Sequence, residues 1–242
     1  MFTLEHFIWL GAIALISAVA LVLLKRYKPS HRAVHAVMTA MLIVFKLFHL
    51  SVSMKESEFG GLVLMQSQLS FHLCSIQVYL VIFLNFIKNE ALRTKLKSFM
   101  VPCMLIGAGM ALLIPTEGVA FDSLRVWQYM LIHGGLVFYG LYFMLVEKVP
   151  LGIKAYFNNL EYLLVITVVA FFMNSMLDAY NVNFLFLRVP PMEGLPILNL
   201  DNGWYIYFLN LTLVACGLVL IVQLPFIIKE LAARCRERKK NK

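Results

Sequence analysis

Seven times along its length the chain runs for about 18 to 25 positions in apolar side chains with scarcely a charge, the span that a helix needs to cross a bilayer. The runs lie near residues 4–24, 34–54, 68–87, 98–115, 126–146, 160–178 and 204–228. Lipid offers no water to satisfy the unpaired backbone groups of an open strand, so each crossing must be helical. The expected fold is therefore all-α, a polytopic membrane protein of seven transmembrane helices in a single domain, residues 1–242. Composition agrees: 61% of residues are apolar, 14% are charged, and the mean hydropathy is +0.81. No polar, Gly/Ser-rich or Pro-rich linker separates two folded parts. Glu5 and His6 precede the first run where a secretory leader would place Lys or Arg, so residues 1–24 read as a retained helix. The fourth and sixth runs are the shortest, and Pro102 is placed to bend the fourth.

The basic residues set an orientation. Segments 25–32, 88–97, 147–159 and 229–242 hold four, four, two and seven Lys or Arg, whereas the intervening loops hold only Lys55, Arg125 and Arg188. Translocated loops are poor in Lys and Arg, so the N-terminus is expected outside and the tail "RCRERKKNK" in the cytoplasm. The net charge of +8 then belongs to membrane edges rather than to a nucleic-acid partner. The tail 229–242 is expected to lie against anionic lipid. Trp127 and Trp204 stand where the fifth and seventh crossings begin, as an aromatic belt would place them.

With depth assigned, the intramembrane polar residues collect in the outer half: Lys46 and His49 on the second crossing, Gln68, His72 and Cys74 at the start of the third, His133 on the fifth, and Asn174, Ser175 and Asp178 at the end of the sixth. His133 lies about 10 Å below Trp127 at 1.5 Å per residue. The inner half offers little that compares. Groups this costly to bury face a cavity or each other. Lys46 either pairs with a carboxylate such as Glu5 or Asp178, or holds the anionic group of a ligand.

Of the four cysteines, at 74, 103, 216 and 235, none forms a CxxC pair, and Cys103 and Cys216 read as packing. Cys74 is a candidate nucleophile. A thiol must ionise to attack, so it requires a base. His72 and Cys74 on one helix would point some 160° apart, which favours a base from another helix. His133 is the best placed, because Gly134 and Gly135 would let a neighbouring helix come close. The apolar loop 179–203, with Pro190, Pro191 and Pro196, is expected to fold as a lid over the outer mouth, where Arg188 can reach a phosphate or carboxylate.

Four stretches in this order, "FHLC" at 71–74, "HGG" at 133–135, "NVNFLFLRVPP" at 181–191 and "NGWYIYF" at 202–208, make the chain resemble the YwaF family of bacterial multi-pass integral membrane proteins. The likeness covers nearly the whole chain. It departs at Ser70-Phe71, where the family often has Pro-Leu, and at Val189, which intervenes between Arg188 and Pro190. The resemblance implies a bacterial cytoplasmic membrane. A distant animal relative is regarded as a phospholipid acyltransferase with a proposed catalytic cysteine. That likeness implies Cys74 as nucleophile, His133 or His72 as base, and membrane lipids as substrate.

Three functions follow from these residues. The first is lipid acyl transfer through a Cys74 thioester, with Lys46, His49 and Arg188 toward the headgroup, Asn174 or Asp178 orienting an imidazole, and no cofactor or metal. The second is a zinc-dependent lipid hydrolase on His49, His72 and His133, which are not set at HxxxH or HExxH spacing. The third is a small-molecule transporter, for which no pair of inverted repeats is evident. A retinal photoreceptor is disfavoured, because the intramembrane lysine lies on the second crossing rather than the last.

Overall fold

A computed structural model describes residues 2–56, 62–64, 69, 71–192 and 194–240. Gln68 and Ser70 lie outside the described residues. The fold is all-α. Among the described residues there are seven helices, six of them long and apolar enough to cross a membrane. Contacts divide the chain into two units, residues 1–149 and 150–242.

The first unit holds α1 (Leu4–Tyr27), α2 (His31–Ser53), the short α3 (Leu73–Phe83), α4 (Glu90–Leu113) and α5 (Leu124–Glu147). Side chains cap four of them at the N-terminus: Thr3, Ser30, Asn89 and Ser123 each accept from an amide in the first turn of α1, α2, α4 and α5. Between α2 and α3, strand Met54–Glu56 pairs antiparallel with Leu62–Leu64, Met54 opposite Leu64.

The third helix is shorter than the run over 68–87 implied. It has 11 residues, about 17 Å at 1.5 Å per residue, against a hydrocarbon core of roughly 30 Å. Its start is set by His72, whose backbone is extended (φ −75°, ψ 149°). Its end is set by Asn85, whose amide folds back to donate to the carbonyls of Val81 (3.3 Å) and Ile82 (3.0 Å) and to Thr39 Oγ1 on α2 (3.1 Å). Those carbonyls are satisfied without further helix. Pro102 shapes α4 in a related way. Proline supplies no N–H to the helical ladder, and the turn that follows, Met104–Ala108, is a π-helical segment. A second π segment, Phe143–Glu147, closes α5.

Lipid tails are as apolar as the side chains they replace, so these helices associate through close packing and hydrogen bonds. A methyl group at Gly134 would stand 3.2 Å from Ile13 of α1, and one at Gly135 would stand 3.3 Å from Met41 of α2. The glycine pair thus admits two neighbours to α5. Trp9, Leu112, Val126 and Met130 form a buried cluster joining α1, α4 and α5. Trp9 Nε1 donates to Val119 O (3.1 Å), and Trp127 meets the Trp9 ring edge-on at 4.6 Å. Leu15, Ile16, Val37 and Val44 are exposed, as lipid-facing side chains are.

The second unit is α6 (Ile153–Met176) and α7 (Trp204–Lys240), joined by a loop with two short 3₁₀ turns, Asp178–Tyr180 and Phe184–Phe186. At 37 residues α7 extends well beyond the apolar run 204–228, so the basic tail continues the helix instead of leaving it. The first amide of α6, at Ile153, donates to Glu230 Oε2 of α7 (3.1 Å) and is capped in that way across the pair.

Candidate functional site

Cys74 is the second residue of α3, in the turn whose amides have no carbonyl partner within the helix. His72 caps that turn with extended backbone instead of belonging to the helix, so a helical-wheel angle between His72 and Cys74 does not apply. The thiol packs on the π segment of α4. A methyl group at Gly107 would lie 3.3 Å from Sγ, so the bare backbone there makes room for the sulfur. Gln77 sits one turn beyond Cys74 on the same face of α3. It is fully buried, and neither of its amide atoms has a hydrogen-bond partner among the described residues.

Tyr129 of α5 packs against one of the imidazoles and lies in the neighbourhood of the thiol. It stands within Coulombic range of Cys74. Its hydroxyl donates to Ala111 O (3.0 Å), and its ring lies 4.2 Å from the ring of His133. His133 Nδ1 donates to Tyr129 O at 2.7 Å. A carbonyl only accepts, so the hydrogen is on Nδ1 and Nε2 is left as an acceptor. His49 of α2 is within Coulombic range of His133. Lys46, three residues before His49, is buried and makes no ion pair with a carboxylate among the described residues. Cys103, also buried, stands within Coulombic range of Cys74. Among the described residues no three His, Cys, Asp or Glu side chains gather in a way that would hold a metal ion, and this includes the trio His49, His72 and His133.

The remaining candidates lie in the second unit, where their side chains hold the loop. Asn174 is buried and grips Phe184 twice, accepting from its N–H (2.8 Å) and donating to its carbonyl (3.1 Å). Asp178 pairs with Arg188 (2.7 Å). Asn183 Oδ1 accepts from the amides of Arg188 and Val189, Trp204 Nε1 donates to Leu187 O (2.8 Å), and the Tyr207 hydroxyl donates to Phe186 O. These bonds secure Leu185 and Phe186 in the left-handed region, which is unfavourable for bulky residues. A hollow of about 210 Å³ beside the loop is lined by Asn174, Asp178, Arg188 and Trp204.

The sequence pattern of the TMEM164 family matches residues 1–223, from α1 through most of the apolar part of α7. The chain belongs to the TMEM164 family. It is a multi-pass membrane protein of that family. No curated protein and no solved structure matches it.

This TMEM164-family chain carries a second polar network that the hydropathy reading missed, at the end of the first unit where α2 begins and α5 finishes. His31 Nδ1 pairs with the Tyr142 hydroxyl (2.6 Å), and His35 Nδ1 with the Tyr139 hydroxyl. Thr39 donates to His35 O (2.8 Å) and accepts from Asn85. Lys97 of α4 forms a partly buried ion pair with Glu147 of α5 and lies 5.5 Å above the Phe143 ring. The end of α2 opposite Lys46 and His49, which was expected to offer little that is polar, thus carries a network of its own. Lys97 counts among the basic residues of segment 88–97, the charge count passes over His31 and His35, and tyrosines score as nearly apolar in a hydropathy window. The HxxxH spacing of His31 and His35 against the i, i+3 pair Tyr139 and Tyr142 was the available signal. His6 was missed in the same way. It is buried, and its Nε2 donates to Leu112 O (2.8 Å) at the end of α4.

Proposed function

We propose that this TMEM164-family protein transfers acyl chains between membrane lipids through a thioester on Cys74. One observation carries the reading: a thiol in the first turn of α3 shares its helix face with a fully buried glutamine whose amide has no partner among the described residues. An orphaned buried amide costs about 1 to 3 kcal/mol. A donor aimed at an oxyanion repays that cost during reaction.

In this mechanism His133 Nε2 takes the proton of Cys74, directly or through Tyr129 or a water, and the thiolate attacks the ester carbonyl carbon of a phospholipid. Gln77 Nε2 and the first amides of α3 donate to the oxygen as it becomes negative. The C–O bond breaks, the lysolipid alkoxide takes the proton from the imidazolium, and the acyl group remains on sulfur. The hydroxyl of a second lysolipid then gives its proton to His133 and attacks the thioester, which restores the thiol. Lys46 and His49 would attract the headgroup phosphate, and His72 stands as the alternative base. In the second unit, Arg188 with Asp178 and Asn174 would bind a headgroup at the loop. The charge asymmetry supports an outward N-terminus, with the tail against anionic lipid. The resemblance to the YwaF family, through "FHLC" and "HGG", adds support only by way of the distant animal relative regarded as a phospholipid acyltransferase.

The test is incubation of purified protein with acyl-labelled phospholipid. Label that appears on the wild type and on Cys103→Ala, is released by hydroxylamine, and is absent from Cys74→Ala is the expected outcome. Lipid turnover that persists in Cys74→Ala without any protein-bound label would remove Cys74 from the mechanism.

A further inference from the structure

Where α1 turns into α2, the first unit forms a half-open cavity of about 680 Å³, bounded across the turn by the end of α5. That volume suits a small-molecule ligand. Lys25, Lys28 and Lys148 stand on its walls and no carboxylate does. Among the described residues none of the three is in an ion pair. The N-terminal end of α2 is part of the same wall, which adds the partial positive charge of its free amides. The floor is the His31–Tyr142 hydrogen bond, and Val34 and Leu145 make it apolar below.

Orientation of the chain in a membrane accounts for lysines on this side in general. It does not account for where two of them sit. Lys28 and Lys148 occupy the left-handed cap residues that end α1 and α5 (φ 46° and 57°). Glycine or asparagine is favoured at such a cap, and another residue there is strained. A lysine at both caps is a local expense that a bound anion would offset.

We propose that this cavity binds a phosphate group, either the headgroup of an anionic lipid or a soluble phosphate ester, with the three ammonium groups on the phosphate and the aliphatic wall on the carbon chain next to it. The site is independent of Cys74. Tyr142 lies thirteen residues beyond Tyr129 on α5, roughly 20 Å along the helix.

The experiment measures binding of the full chain in detergent to phosphatidic acid in phosphatidylcholine micelles, and separately to glycerol 3-phosphate. The variants are Lys25→Gln, Lys28→Asn with Lys148→Asn, which keep the left-handed caps, and the three combined. Lys25→Gln is expected to weaken binding about fivefold, the Lys28→Asn, Lys148→Asn pair about twenty-five-fold and the triple about a hundredfold. Neutralising Lys95 and Lys154, which are exposed and outside the cavity lining, as Lys95→Gln with Lys154→Gln is expected to leave affinity unchanged. Val34→Phe, which fills the cavity and keeps every charge, is expected to weaken binding at least tenfold. Binding of phosphatidic acid alone identifies a lipid as the source, and equal binding of glycerol 3-phosphate identifies a soluble ester. Equal loss in the Lys95→Gln, Lys154→Gln variant, unchanged affinity in Val34→Phe, or binding of neither ligand overturns the proposal.

Discussion

His133 donates from Nδ1 to the backbone carbonyl of Tyr129, one turn earlier on α5, while the ring of that tyrosine lies 4.2 Å from its own. The bond orients the imidazole so that Nε2, the nitrogen able to accept, is left for chemistry. A base in this setting is expected to contribute about a hundredfold or more to rate. His133→Gln should therefore lose at least that factor in the rate of Cys74 acylation, read from a time course of hydroxylamine-sensitive label, with its melting temperature near that of the wild type. A variant labelled at the wild-type rate would transfer the role of base to His72.

Gln77 separates stability from activity. Its amide is buried without partners among the described residues, so Gln77→Leu removes a desolvation cost and should raise stability by about 1 kcal/mol. The same change removes a donor to the oxyanion and should slow acylation about a hundredfold. Thermal unfolding and single-turnover labelling on the same preparation read both. A variant that is less stable and equally active would mean that Gln77 serves packing.

Gly107 leaves room for the sulfur. A methyl group there would already sit 3.3 Å from Sγ, so Gly107→Leu should close the space in front of Cys74. Alkylation of Cys74 by a small maleimide, followed by mass spectrometry, should fall at least tenfold while alkylation of the exposed Cys235 is unchanged.

Asn174 is expected to matter for the loop. Asn174→Ala removes both of the bonds that Asn174 makes to the N–H and the carbonyl of Phe184, at a cost of about 2 kcal/mol. Limited proteolysis should then cut within 179–203 much faster than in the wild type. Wild-type resistance would show that Trp204 and Tyr207 suffice to hold the segment.

The second network gives a test of its own. Tyr139→Phe deprives the buried His35 of its hydroxyl partner and should cost about 1 to 3 kcal/mol, measured as a lower midpoint of unfolding. His35→Phe in the same background should recover part of the loss, because both polar partners are then gone.

Much of the frame was legible in the residues. Helices form wherever an uncharged run is long enough, so α1, α2, α5 and the apolar part of α7 fall close to their expected positions, while α4 and α6 begin eight and seven residues before the runs at 98–115 and 160–178. The short α3 was not legible, because Asn85 looks like any loop asparagine until its amide meets the carbonyls of Val81 and Ile82. Asn174 looked like a ligand-orienting group for a similar reason: a buried amide on a crossing implies a partner, and only the folded loop identifies it as Phe184.

By itself the sequence determined how many helices the chain makes, roughly where they begin, and which end of each carries positive charge, since these depend on sums over neighbouring residues. Tertiary structure alone decided which polar group each buried side chain meets. His6 finds Leu112 from 106 residues away and His35 finds Tyr139 from 104, and such pairings arise from the packing of distant helices, which no local sum encodes.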